Sequence, residues 1–221
     1  MNSHLTTVGK IIMTILVVAI VLGYVAVQYG IVGAEYAGLV KVKLSKPDFH
    51  YSPWIYVLYT HIVSGCVALV VGLIQLLRKP EAERMQLHRW LGKIYVICIL
   101  LSGIVNIYLS IFASGGGFSK AGFFLLDSLW ICATLTAVNR IQKSQVEAHQ
   151  QWMLRSYALT FSGVTLRIWL PLLMTPFEFE TAYPMVAWLA WVPNLLIAEW
   201  AIRKRATKVK RLASHAIPIV E

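Results

Sequence analysis

Charge is scarce in this sequence. Only 14% of its residues are Asp, Glu, Lys or Arg, whereas soluble domains average about 25%. Polar side chains on that scale cannot cover a globular surface. Carboxylates are the rarer half, with 10 Asp and Glu against 20 Lys and Arg. Cysteine is nearly absent too. Cys66, Cys98 and Cys132 each lie inside an apolar run, and no two have C-x-x-C spacing. That spacing excludes a disulfide framework and a zinc ribbon, and leaves three small buried hydrophobes. No H-E-x-x-H, P-loop, G-x-G-x-x-G or Ser-His-Asp order occurs. Hydrolase, kinase and soluble nicotinamide-enzyme readings therefore have no residues to rest on.

What the sequence has instead is apolar length. Hydrophobic residues make up 58% of 221, and the mean hydropathy is +0.66. Six segments reach the roughly 17–25 residues that cross a bilayer: 10–30, 53–77, 90–112, 121–139, 152–175 and 183–202. The expectation is an all-α integral membrane protein, one transmembrane domain over 1–221, with 203–221 as a basic tail. The first run, Ile11 to Val27, exceeds the roughly 7–15 residues of a signal-peptide core. It is expected to stay as a helix rather than be cleaved at Val32-Gly33-Ala34.

The net charge of +10 has a topological pattern. With the N-terminus inside, one side of the membrane holds Lys10, Arg78, Lys79, Arg84, Arg89, Lys93, Arg140, Lys143, Arg155, Arg203, Lys204, Arg205, Lys208, Lys210 and Arg211. The other holds only Lys41, Lys43, Lys46 and Lys120. Cytoplasmic loops carry such an excess, so both termini are placed in the cytoplasm. This removes the case for nucleic acid. The tail is expected to attract anionic lipid headgroups at about 1 kcal/mol per cation. Trp54 suits the outer interface, and Trp90, Trp152 and Trp200 the inner one. Pro80 with Glu81 and Glu83 reads as a helix start, and Ser144-x-x-Glu147 as a capping box.

Two segments echo each other. His88-Arg89-Trp90-Leu91-Gly92-Lys93-Ile94-Tyr95 and His149-Gln150-Gln151-Trp152-Met153-Leu154-Arg155-Ser156-Tyr157 both run from a His to Trp-x-x-(Lys/Arg)-x-Tyr. Each sits where a helix enters the membrane. The hairpin of spans 2 and 3 is therefore expected to repeat as spans 4 and 5, a four-helix core with spans 1 and 6 peripheral.

Polar residues inside the spans are the candidate site. His61, Asn106, Asp127 and Arg167 come from spans 2, 3, 4 and 5. At 1.5 Å rise per residue all four lie roughly 9–12 Å below the outer boundary. Ionisable groups at that depth should be paired, and Asp127 with Arg167 is the obvious pair. Such a layer either locks packing or forms a small outward-facing site for an anion, a quinol head or a reductant. Glu199 lies near the inner end of span 6 and is expected to pair with Arg203 at i, i+4. His88 and His149 begin spans 3 and 5 at one level. They are candidate ligands of a haem iron or of a metal, or else interfacial histidines.

His88-Arg89-Trp90-Leu91-Gly92-Lys93-Ile94-Tyr95, Trp152-Met153-Leu154-Arg155-Ser156-Tyr157-Ala158-Leu159-Thr160-Phe161, Arg167 and His61-x-x-x-Gly65 resemble a domain-of-unknown-function family of predicted bacterial multi-pass membrane proteins. The likeness covers about residues 55–170 and implies the fold rather than an activity. A looser similarity is to cytochrome b561-like proteins. It implies six helices and a four-helix core whose paired histidines hold haem b. His88 and His149 fit one such pair, but span 4 has Asp127 and no His, which departs from a two-haem pattern. Three functions are carried forward: a b-type haem electron-transfer protein, a small-solute transporter or receptor using the polar layer, and a structural or assembly subunit.

Overall fold

The computed structural model describes residues 2–45, 49–78 and 82–216. The described residues are helical with no strand. In chain order the helices are α1 (Asn2–Ala26), α2 (Gly38–Leu44), α3 (Tyr51–Leu77), α4 (Met85–Ile111), α5 (Gly116–Gln142), α6 (Val146–Thr160), α7 (Ser162–Leu173), α8 (Phe179–Leu189) and α9 (Val192–Ala216). A π-helical turn, Val27–Val32, extends α1, and a 3-10 turn, Ala82–Arg84, precedes α4. Lys10 falls in α1; Lys46, Lys79, Pro80 and Glu81 lie outside the described residues, as does the tail beyond Ala216.

Five stretches are long and apolar enough to cross a membrane: Ile11–Val32, Tyr51–Leu77, Met85–Ile111, Gly116–Gln142 and Phe179–Lys208. Six were expected. The segment expected as one span at 152–175 is built from two shorter helices, α6 and α7, which meet at a turn on Phe161. Its hydroxyls explain the break. Thr160 Oγ1 donates back to Ser156 O at 2.9 Å, and Thr165 Oγ1, whose shortest bond is to Ala190 O, also lies within reach of Phe161 O and Ser162 O. Side chains that compete for helix carbonyls in this way bend helices.

Helix α3 packs on α4, α4 on α5, α5 on α6, and α6 back on α3, so the four close a ring. Helix α8 lies against α5 and α7, and α9 against α6. The ring is held by hydroxyls as well as by apolar packing. Tyr95 Oη is 3.0 Å from both Ser156 Oγ and Thr160 Oγ1. Trp130 Nε1 donates to Thr160 Oγ1 at 2.9 Å, and Thr134 Oγ1 is 2.7 Å from Ser156 Oγ. No water competes for these groups in a bilayer, so each must be satisfied within the bundle. Outward, the spans present apolar side chains such as Ile20, Val63, Ile97, Ile104 and Ile197, all more than 60% exposed. That belt suits contact with lipid.

The capping box is not formed. Ser144 has φ 58°, and α6 starts after Gln145 with no side-chain cap. The connection between α5 and α6 is only residues 143–145, and Ser144 is the left-handed residue that reverses the chain.

Candidate functional site

Helix α4 is the hinge of the site. Ser102 and Asn106 are one turn apart on its inner face. Ser102 reaches α3: its Oγ is 2.9 Å from His61 Nδ1, and it also bonds His61 O. Asn106 reaches α5: its Nδ2 donates to both carboxylate oxygens of Asp127, at 2.8 and 2.9 Å. Asp127 is 1% exposed, so this amide is what compensates its burial. Arg167 enters from α7, where its Nη1 donates to Gly163 O at 2.7 Å. Its Nε and Nη2 take no acceptor among the described residues and remain accessible.

All four residues expected at one depth line a single cavity of about 200 Å³. Tyr29, Lys43, Cys66, Trp130, Thr160 and Tyr183 line it too, with a wall that is mostly apolar. Arg167 is close enough to His61, Cys66 and Tyr29 for its charge to act on each. The expected Asp127–Arg167 ion pair is not formed. Asp127 is bound by Asn106 instead, because α4 packs directly on α5, whereas Arg167 sits on α7 beyond the break at Phe161. The charges therefore share a cavity without touching.

Glu199 likewise differs from expectation. Arg155 Nε and Nη2 donate to its two oxygens at 2.5 and 3.1 Å, across the α6–α9 contact. This is the ion pair among the described residues. A bidentate guanidinium from a neighbouring helix outcompetes Arg203 one turn along the same helix.

His88 and His149 are placed alike. His88 Nδ1 is 3.0 Å from Gln75 Oε1, and His149 Nδ1 donates to Ala137 O at 2.8 Å. Both rings are half-buried, and they interact electrostatically with each other. A ring whose Nδ1–H is spent on a carbonyl oxygen presents a free lone pair at Nε2.

Two lining residues, Lys43 and Cys66, and the partner of His61, Ser102, are not marked as site residues by sequence pattern. Lys43 was counted as a loop cation, yet it is buried; its Nζ bonds Phe112 O and lies 5.4 Å from the Trp54 ring and 5.8 Å from that of Phe49. Nothing in its neighbours signals this, since the loop folds over the bundle end as α2. Ser102 was detectable as the residue one turn before Asn106. Cys66 was read only as a small hydrophobe.

The architecture is that of a multi-helix integral membrane bundle with a buried polar cavity. The family model described as a predicted membrane protein, DUF2306, matches residues 58–202, and the chain belongs to that family. Neither a curated protein nor a solved structure matches the chain, so the likeness to cytochrome b561-like proteins finds no support there.

Proposed function

We propose that the protein is a small-solute transporter or receptor whose solute occupies the cavity lined by His61, Asn106, Asp127 and Arg167. One observation carries this reading. Four polar residues from four helices converge on one cavity, and Arg167 keeps unpaired donors facing it. A layer serving packing alone would have closed the Asp127–Arg167 pair.

In this reading α6 and α7 together make a sixth crossing. Their span, 146–173, is about 40 Å long at 1.5 Å per residue, enough for a hydrocarbon core of about 30 Å. The hairpins α3–α4 and α5–α6 are then the repeated core of a single domain. Both termini face the cytoplasm of a bacterial cell, and the cavity opens outward beneath α2. Trp90, Trp152 and Trp200, each under a cation, mark the inner interface. Anionic headgroups meet the basic tail there.

Cys66 lines the cavity and reports on its opening. A membrane-impermeant methanethiosulfonate should label Cys66 in right-side-out vesicles at least about tenfold faster than in inverted ones, in a Cys98→Ser/Cys132→Ser background. Equal labelling from both sides, or none from either, would overturn the outward-facing site.

A second reading rests on the two inner histidines. Their Nε2 lone pairs are free and their rings are fixed by Nδ1, as in metal-ligating histidines. His88 and His149 would hold a haem iron, which supplies one-electron transfer when bound. Purified protein should then show a reduced-minus-oxidised spectrum with a Soret band that is lost in His88→Ala/His149→Ala. A colourless preparation from haem-replete cells removes this reading.

A further inference from the structure

We propose that the solute of this cavity is a small monoanion with an apolar body, of the aryl or branched-chain carboxylate class. The proposal rests on the binding-site reading above and names its ligand chemistry. It starts from the unequal treatment of Asp127 and Arg167. Asp127 has both oxygens on Asn106 Nδ2 and is almost fully buried. Its acceptors are turned toward α4. Arg167 spends Nη1 on a carbonyl of its own helix and leaves Nε and Nη2 open. A guanidinium edge with two free donors matches a carboxylate in bidentate geometry. Low dielectric strengthens that attraction over its value in water.

Other groups at the same cavity bear on the choice. The Ser102 hydroxyl donates to His61 O, and His61 Nδ1 donates to Ser102 Oγ and O. Nε2 is then left as an acceptor, so Arg167 is the donor that an anion would meet. Among the described residues no second carboxylate lines the cavity to bind an amine, and Asp127 is already satisfied. A cation would therefore meet Arg167 with nothing to hold it. The rest of the wall, including Leu58, Ile62, Leu109, Phe123 and Trp130, is apolar. A wholly polar anion would lose hydration against it without return. Room of about 200 Å³ suits a single ring or a short branched chain. One guanidinium with open donors suits one negative charge.

The test uses the full chain in right-side-out vesicles and the labelling of Cys66. Benzoate is the probe, with benzyl alcohol and benzylamine as neutral and cationic counterparts of the same ring. Millimolar benzoate should slow labelling about fivefold or more, while both counterparts change it less than about twofold. Arg167→Gln should abolish that protection, measured against the variant's own unprotected rate, which falls because the charge acting on Cys66 is lost. Arg167→Lys, which keeps the charge but loses the fork, should retain part of it. Equal protection by benzyl alcohol overturns the anion assignment. So does a Cys66 that reacts readily but is not protected by benzoate. A Cys66 that never reacts from outside removes the site beneath the proposal, which is a different result.

Discussion

Replacing Asn106 with Leu is expected to lower the unfolding free energy by about 3 kcal/mol or more, because it strands a buried carboxylate. The amide of Asn106 is the hydrogen-bond partner of both Asp127 oxygens, and Asp127 is 1% exposed. No cation reaches Asp127 to replace it: among the described residues the one ion pair joins Arg155 to Glu199. The measurement is reversible unfolding in detergent, followed by helix content. Asn106→Leu with Asp127→Leu should recover most of the loss, since an apolar pair of similar volume needs no donor. Exchanging the two residues, Asn106→Asp with Asp127→Asn, should also recover stability, because donor and acceptor merely trade helices. If Asn106→Leu unfolds like the parent, Asp127 has another partner and the α4–α5 link described above is wrong.

Residue counting along the helices suggests which polar groups to compare, but not which of them pair. Counting residues from the span ends placed His61, Asn106, Asp127 and Arg167 at one level, and they line one cavity. Rise along a helix is fixed at 1.5 Å per residue whatever the packing. Rotation about the helix axis and the order of neighbours are tertiary properties. Asp127 was assigned to Arg167 by charge, yet the closer neighbour is Asn106 on the adjoining helix. Glu199 was assigned to Arg203 by local spacing, yet Arg155 on α6 reaches it with two donors. The break at Phe161 was invisible to hydropathy because its residues are as apolar as their neighbours. Its cause is the hydroxyls of Thr160 and Thr165, which count as mild polarity on a hydropathy scale but act on the backbone. Lys43 shows the same limit at the surface. A loop cation looks solvated until the loop is seen to fold over the aromatic rings of Phe49 and Trp54.

Gly72 is a helical position where one added methyl group should do marked harm. It lies on α3 where that helix meets α4 and α6, facing Tyr95 and Tyr157. A Cβ there would come within 2.6 Å of Tyr157 Cδ2 and 2.7 Å of Tyr95 Cε2. Neither ring has an easy retreat. Tyr95 is pinned by Ser156 and Thr160, and Tyr157 Oη donates to Leu69 O at 3.4 Å. The helices themselves must separate, and they form the closed ring. Gly72→Ala is therefore expected to cost about 1–3 kcal/mol, the usual range for overpacking a filled core. Gly65→Ala, on the same helix, is the control: its Cβ would lie 3.5 Å from Ser102 Oγ, an ordinary contact. That variant should stay within about 0.5 kcal/mol of the parent, or gain slightly from helix propensity. The two are compared by unfolding in the same detergent. A second variant separates crowding from backbone effects. Trimming one ring in Gly72→Ala/Tyr157→Leu should relieve the clash, so the double variant loses less than the sum of its parts. Additive losses would mean that Gly72 is needed for something other than the close approach of these two tyrosines.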